Sequence, residues 1–186
     1  MRKLIIPGLA LVLLLAGTAA RAEKPPAAQP GFVPLDELNL FPNDQLSTEI
    51  NLNGAILRLV AAATKDDPEF SQVMAGLRSI NVQVFPLKGV DADAIKTKIN
   101  RAVHWLEERG WKANVRVREK GEETYIYMKE DGGQIVGLTV LTFQPGDEAA
   151  VINIAGRIDP AQIGRLGHKL KVPQLEKVPS KGKKPQ

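Results

Sequence analysis

The alternation of hydrophobic and polar residues predicts the first elements of this chain. Residues 47–53 (STEINLN) alternate apolar and polar side chains, as in a half-buried strand. Residues 54–65 (GAILRLVAAATK) then change to helical spacing. Asp67, Pro68 and Glu69 predict the start of a second helix, because Asp caps helices, Pro suits the first helical position and acids are favourable in the first turn.

A second strand and the clearest helix of the chain follow. The apolar stripe of the second helix is expected to consist of Phe70, Val73, Met74 and Leu77. Residues 80–84 alternate again and predict a strand. A long helix is predicted to start at Asp91 or Asp93 and to end at Gly110, which suits a left-handed cap. Its apolar face has a helical period and consists of Ile95, Ile99, Ala102, Val103 and Leu106.

Four strands separated by turns are predicted after this helix. On the first strand, one face is expected to carry Trp111, Ala113, Val115 and Val117, and the other Lys112, Asn114, Arg116 and Arg118. Glycines mark the turns between the strands, because turns often need a positive φ angle. Residues 135–143 (IVGLTVLTF) are apolar on both faces, which indicates a strand that is central or covered on both sides. Asp159 and Pro160 predict a short final helix.

The order of these elements is β-α-α-β-α-β-β-β-β-α, which predicts an α+β fold. Strands joined by tight turns form a mainly antiparallel sheet, and the helices are expected to pack on one of its faces, giving two layers. A single domain is expected over residues 35–171. A Pro/Ala-rich linker at residues 23–34 precedes it, and a Lys/Pro-rich tail at residues 172–186 is expected to be disordered.

Residues 1–22 have the organisation of a secretory signal peptide. Two basic residues precede an apolar stretch at residues 4–16, and a small-x-small cleavage site follows at Ala20 and Ala22, so the mature chain is expected to start at Glu23. The apolar stretch of about thirteen residues is shorter than the roughly 18–20 that a membrane-spanning helix needs. The protein is therefore expected in the periplasm or the medium.

The chain contains no cysteine, and this absence changes the interpretation of the leader. Leu15, Ala16 and Gly17 resemble the approach to a bacterial lipoprotein cysteine, but Thr18 follows and cannot carry the lipid. No covalent membrane anchor is therefore expected. The same absence excludes disulfides, thiolate zinc sites and cysteine nucleophiles.

Positive charge is concentrated at the two ends of the chain. The formal net charge is +4, but three positive charges lie in the predicted leader, so the mature chain carries only about +1. Six lysines lie from residue 169 onward. This tail is expected either to make weak contact with anionic surfaces or to act only as a solubilising end. Export and a near-neutral charge argue against a nucleic-acid partner.

Reactive motifs are sparse in the sequence. Neither His104 nor His168 has a hydroxyl and a carboxylate at a spacing typical of a hydrolase, and glycine-rich phosphate loops are absent. The paired acidic residues lie at predicted helix ends and turns, where capping and solvation explain them. The sequence therefore predicts no catalytic residue, no metal ligand and no cofactor. It favours a non-enzymatic binding module, with an enzyme that uses carboxylates or Arg/Tyr residues in a cleft as the alternative.

The second face of the sheet is the main candidate for binding. Arg116 and Arg118 are expected to point away from the apolar face, together with Tyr125 and Tyr127 if their strands pair as a hairpin. Such a face could bind an anionic or aromatic ligand, a peptide or an envelope protein. The alternative is an ordinary solvated face with cross-strand Arg–Tyr and Lys–Glu pairs.

Four blocks of sequence carry a resemblance to a known family. They are NLNGAILRLVAA, the D-P-x-x helix start at Asp67, TYIYMKEDGGQIVGLTVLTF and the G-x-I-D of residues 156–159. From about Gly31 to Leu170, the chain resembles an exported bacterial family that is catalogued as domain of unknown function 4252. The resemblance implies an envelope protein with the fold given above, but no activity and no site residue. Many relatives resemble lipoproteins, and this chain departs from them by lacking the cysteine.

Cleavage of the leader can be tested by mass spectrometry. Protein recovered from the periplasm is expected to have the intact mass of a chain that begins at Glu23, because the small-x-small site ends at Ala22. An intact mass that still includes residues 1–22 would contradict this prediction.

Overall fold

The computed structural model describes residues 29–159, except residue 39, residues 42–44 and residue 120. The helices in this part are α1 (Leu35–Leu38), α2 (Gly54–Ala63), α3 (Pro68–Gly76) and α4 (Ala92–Glu108). The strands are β1 (Thr48–Asn53), β2 (Leu77–Pro86), β3 (Lys112–Glu119), β4 (Glu122–Asp131), β5 (Gln134–Phe143) and β6 (Glu148–Gly156). They form one antiparallel sheet in the order β1-β2-β6-β5-β4-β3, which confirms the α+β class. The predicted leader and its cleavage site, the final helix and the tail lie outside the described residues.

Capping residues mark the starts of α2, α3 and α4. Asn53 caps α2 by accepting two backbone N–H hydrogen bonds at 3.1 Å, and Asp67 caps α3 by accepting one at the same distance. Of the two candidates for α4, Asp91 is the cap and Asp93 lies in the first turn. Gly110 follows α4 with a φ of +73°, in the left-handed region.

Leu77 belongs to a strand and not, as expected, to the apolar stripe of α3. The helix ends at Gly76, and β2 starts at the next residue. The carbonyl of Gly76 accepts the backbone N–H of Arg157 at 2.9 Å. A Cβ atom at Gly156 would lie only 2.6 Å from that carbonyl oxygen. This close approach of two backbones draws the chain into the sheet directly after the helix.

Helices cover both faces of the sheet. On one face, which we call the α4 face, α4 and residues 33–41 pack over a core that includes Tyr127 and Leu141. On the opposite face, α2 and α3 pack over a core that includes Val140 and Ile154. The sheet is therefore the middle of three layers, which corrects the expected two-layer arrangement. The physical reason is that β5 and β6 carry apolar side chains on both sides and so need cover on both sides.

A bulge in β3 changes which of its residues share a face. The register with β4 shifts between Ala113 and Val115, so Asn114 is an extra residue. Trp111, before the bulge, is buried in the core of the α4 face, whereas Val115 packs on the opposite face. The four apolar residues of this segment therefore do not share one face as expected.

β1 lies at an edge of the sheet and is more exposed than expected. Five of its six residues are exposed, and only Leu52 is partly buried. Ile50, which points to the same side as Leu52, is 37% exposed. The expected half-buried strand is corrected to an exposed edge strand, because β1 has a neighbouring strand on one side only.

Residues 31–34, which the sequence assigns to the linker, pack into the fold. The buried side chain of Asn153 accepts the backbone N–H of Val33 at 3.0 Å and donates to the carbonyl of Gly31 at 3.1 Å. Its amide nitrogen also donates to two acceptors of β5. Gly31 packs so closely on Gly137 that a Cβ atom on either glycine would overlap the backbone of the other.

Replacement of Asn153 tests this arrangement. Asn153→Ala is expected to lower the free energy of unfolding by roughly 2–3 kcal/mol, because buried backbone groups lose their partners and a small cavity remains. Asn51 lies in the same row of residues across the sheet but is exposed, so Asn51→Ala is expected to change stability by less than about 0.5 kcal/mol. Chemical denaturation followed by circular dichroism measures both variants. Equal losses in the two would contradict the role given to Asn153.

Candidate binding surface

The structure brings together the four residues that the sequence selects for binding, but it buries two of them. In the register of β3 and β4, Arg116 lies opposite Tyr125 and Arg118 lies opposite Glu123. These residues lie on the α4 face, where Tyr125 and Tyr127 are only 5% and 0% exposed. The expectation of an open Arg/Tyr face is therefore corrected. The arginines are exposed, and the tyrosine rings form part of the core beside them.

Glu123 is the centre of a hydrogen-bonded ion pair. Its carboxylate accepts from Arg118 Nε at 3.2 Å and Nη2 at 3.3 Å, and it also accepts from the Tyr125 hydroxyl. The Glu123 side chain is only 14% exposed. The Tyr125 hydroxyl above all, and then Arg118, hold the pKa of Glu123 below its ordinary value, although partial burial acts in the opposite direction. Glu123 and Arg118 therefore form a fixed pair in which each charge is compensated.

Tyr127 connects the sheet to α4. Its hydroxyl donates to Glu107 Oε1 at 2.9 Å. Burial, and then this hydrogen bond, raise the pKa of Tyr127 to about 12, and the neighbouring Arg116 opposes part of the rise. Burial, and then Glu123, also raise the pKa of Tyr125. Both hydroxyls therefore stay protonated at neutral pH and act as hydrogen-bond donors.

Arg116 differs from Arg118 in having no carboxylate partner among the residues that the structure describes. Its exposed guanidinium lies 5.0 Å from the centroid of the Tyr125 ring. Within the part of the chain that the structure describes, no carboxylate lies within ion-pair distance of it. A guanidinium held against an aromatic ring keeps N–H donors available along its edge, and these match a carboxylate or phosphate in geometry. This arrangement is suited to an anionic group from outside the chain.

Two members of this cluster are not identified by the sequence. Glu107 belongs to an acidic pair at a predicted helix end and Glu123 to one beside a predicted turn, where solvation alone explains an acidic residue. The signal that could have identified Glu123 is its position two residues before Tyr125, since such residues share a face of a strand. No local signal pairs Glu107 with Tyr127, because that contact depends on how α4 lies on the sheet.

The other residues considered in the sequence have structural positions. Trp111 is buried in the core of the α4 face, and Trp105 is half-buried against it. His104 is exposed on α4, and its Nε2 lies 3.1 Å from a carboxylate oxygen of Glu108 one turn further along. His168 lies outside the described residues.

A cleft of about 500 Å³ lies beside the end of α3, apart from the Arg116 cluster. Its described walls include the amides of Gln72 and Gln134, the guanidinium of Arg157 and the carboxylate of Asp159. Asp159 is the single acidic residue of these walls, so they do not bring two carboxylates together. Across the described ranges, no three His, Asp or Glu side chains are grouped to hold a metal ion. No helix in those ranges has the length and apolar character needed to cross a membrane.

Comparison with known proteins places the chain within a family. A family model described as domain of unknown function 4252 matches residues 41–166, which is more than half of the chain and includes all six strands of the sheet. No curated protein and no solved structure matches the chain.

Titration of the tyrosines tests the geometry of this cluster. The chain has two tyrosines, so a Tyr125→Phe variant reports Tyr127 alone. Its tyrosinate absorbance is expected to titrate near pH 12, because the folded chain favours the protonated hydroxyl. The stabilisation that comes from this preference is complete below the ordinary pKa of 10 and is lost as the pH rises through about 12.

The matched Tyr127→Phe variant controls for the stability effect. It is expected to lose about 1 kcal/mol of unfolding free energy at neutral pH, because the hydrogen bond to Glu107 is absent. The difference from wild type should shrink above pH 10, where unfolded Tyr127 ionises. A titration midpoint near 10 in a chain that circular dichroism shows to be folded would contradict the buried, hydrogen-bonded state.

Proposed function

The chain belongs to the family described as domain of unknown function 4252, and we propose that it acts as a non-enzymatic interaction module of the bacterial cell envelope. It is exported through its leader and released without a covalent membrane anchor. It binds an acidic segment of an envelope protein or peptide through the exposed arginines of the α4 face, Arg116 and Arg118.

The observation that carries this proposal is the state of Arg116. It is an exposed cation, held over the Tyr125 ring, without a carboxylate partner among the described residues. An arginine in this setting loses little conformational freedom on binding, since the buried tyrosine beneath it is already fixed. A carboxylate that approaches Arg116 would therefore gain a preorganised partner.

Arg118 adds a second exposed guanidinium to the proposed surface, with its charge compensated by Glu123. Glu123 fixes this guanidinium at two atoms, at 3.2 Å and 3.3 Å, while the Arg118 side chain remains 63% exposed. The two arginines lie two residues apart on one strand and so point to the same side, roughly 7 Å apart. This spacing suits neighbouring acidic residues of an extended segment better than a single small anion.

The protonation state of Glu123 also favours a binding role for this cluster. A carboxyl group that serves as a general acid needs a raised pKa. The hydrogen bond from Tyr125 and the ion pair with Arg118 lower the pKa of Glu123 instead, so this group stays ionised. It serves to position Arg118 and Tyr125.

Affinity capture from envelope extracts tests the proposal. Recovery of a bound envelope protein is expected to fall about five- to tenfold for Arg116→Ala, because one guanidinium–carboxylate contact is lost. Recovery should also decrease as the salt concentration rises. Lys88→Ala, which removes an exposed cation from the loop after β2, is the matched control and should behave like wild type. If wild type, Arg116→Ala and Lys88→Ala recovered the same partners in equal amounts, the proposed surface would be wrong.

A further inference from the structure

The two flanks of α4 face different parts of the fold. At about 3.6 residues per turn, Lys96 lies about 80° to one side of the buried stripe of this helix, and Lys98 lies about 80° to the other side. The Lys98 ammonium group lies 5.7 Å from the centroid of the Phe41 ring, so its flank faces the segment before β1. Glu107 lies about three turns after Lys96 on the same flank, and it accepts the hydrogen bond from Tyr127 on β4. The Lys96 flank therefore faces β4 and the edge strand β3.

α4 and β3 border a strip of surface that is closed at one end. Gly110 lies in the short connection from the end of α4 to the start of β3, so the strip is closed near Glu107. Lys96 lies eleven residues before Glu107, roughly 16 Å along the helix, and so belongs to the open end. The Tyr125 hydroxyl lowers the pKa of Glu123 most, and the charge of Lys96 adds to this effect. The Lys96 ammonium group is therefore near the Glu123 end of β4.

Two uncompensated cations lie on the two sides of this surface. We call it the α4–β3 strip and define it by Lys96 and Asn100 on α4 and by Arg116 and Arg118 on β3, whose side chains are all exposed. Arg118 is paired with Glu123. Neither Lys96 nor Arg116 has a carboxylate within ion-pair distance in the part of the chain that the structure describes. Lys96 is therefore a second cation that is available to a ligand at this surface.

Acidic side chains limit the strip at both ends. Asp93 is exposed about one turn before Lys96, and Glu107 is exposed at the closed end. Like charges placed close together repel each other, so a long run of acidic residues would meet repulsion at each end of the strip. A short pair of acidic residues would meet only the cations between these ends. The distribution of charge therefore favours a segment that contains two neighbouring acidic residues.

We propose that the acidic segment bound by this protein lies lengthwise along the α4–β3 strip, and that Lys96 determines its specificity. Lys96 and Arg116 each bind one carboxylate of the segment, and the amide of Asn100 can hydrogen-bond its backbone. Acidic residues two positions apart suit this arrangement, because they lie about 7 Å apart on one side of an extended chain. The inference rests on the proposed function and adds to it a second contact and the acidic pattern of the partner.

Titration of the mature chain with capped synthetic peptides, followed by two-dimensional NMR, tests the proposal. The probe is the peptide TTETETT, and its uncharged counterpart TTQTQTT is expected to bind about tenfold more weakly. Lys96→Gln is expected to weaken the binding of TTETETT about threefold, and Lys96→Arg should retain it, because the positive charge is kept. Lys98→Gln makes the same change on the opposite flank of α4 and is the matched control, which should bind like wild type. Circular dichroism verifies that the variants fold.

The outcomes separate this inference from the proposed function. If Arg116→Ala weakened the binding of TTETETT but Lys96→Gln did not, or if Lys98→Gln weakened it as much as Lys96→Gln, the inference would be wrong and the proposed function would stand. If TTETETT did not bind the wild-type chain, the inference would also be wrong, and affinity capture would still test the proposed function. If neither Arg116→Ala nor Lys96→Gln changed the binding, both would be wrong.

Discussion

The buried amide of Asn153 is the contact on which the arrangement of the α4 face depends. Residues 31–34 have no helix or strand to satisfy their backbone, and a polar group buried without a partner is costly. Asn153 supplies both an acceptor and a donor, to Val33 and Gly31. The segment can then lie directly on β5, where Gly137 leaves the necessary space. Trp111 packs against the same glycine, so a single polar side chain fixes the apolar cover around it.

The apolar cover of the α4 face determines which polar contacts form at the other end of this face. Once α4 buries the rings of Tyr125 and Tyr127, their hydroxyls need acceptors, and Glu123 and Glu107 supply them. Glu123 is thereby held ionised and engages Arg118, and Arg116 has no carboxylate partner among the described residues. The binding capacity proposed for Arg116 is thus a consequence of how the core satisfies its polar groups.

Local sequence patterns predicted the helices and strands well, but they did not predict the contacts between these elements. The cap Asp67, the helical spacing from Gly54 onward and the periodic face of α4 depend on residues close in sequence, so α2, α3 and α4 could be located. The bulge at Asn114 could not, because the alternation of side chains continues on both sides of it. The apolar character of residues 135–143 already indicated that both faces of the sheet are covered. The expected two-layer arrangement did not take this into account. The acceptors of the tyrosines depend on long-range packing, which has no local pattern.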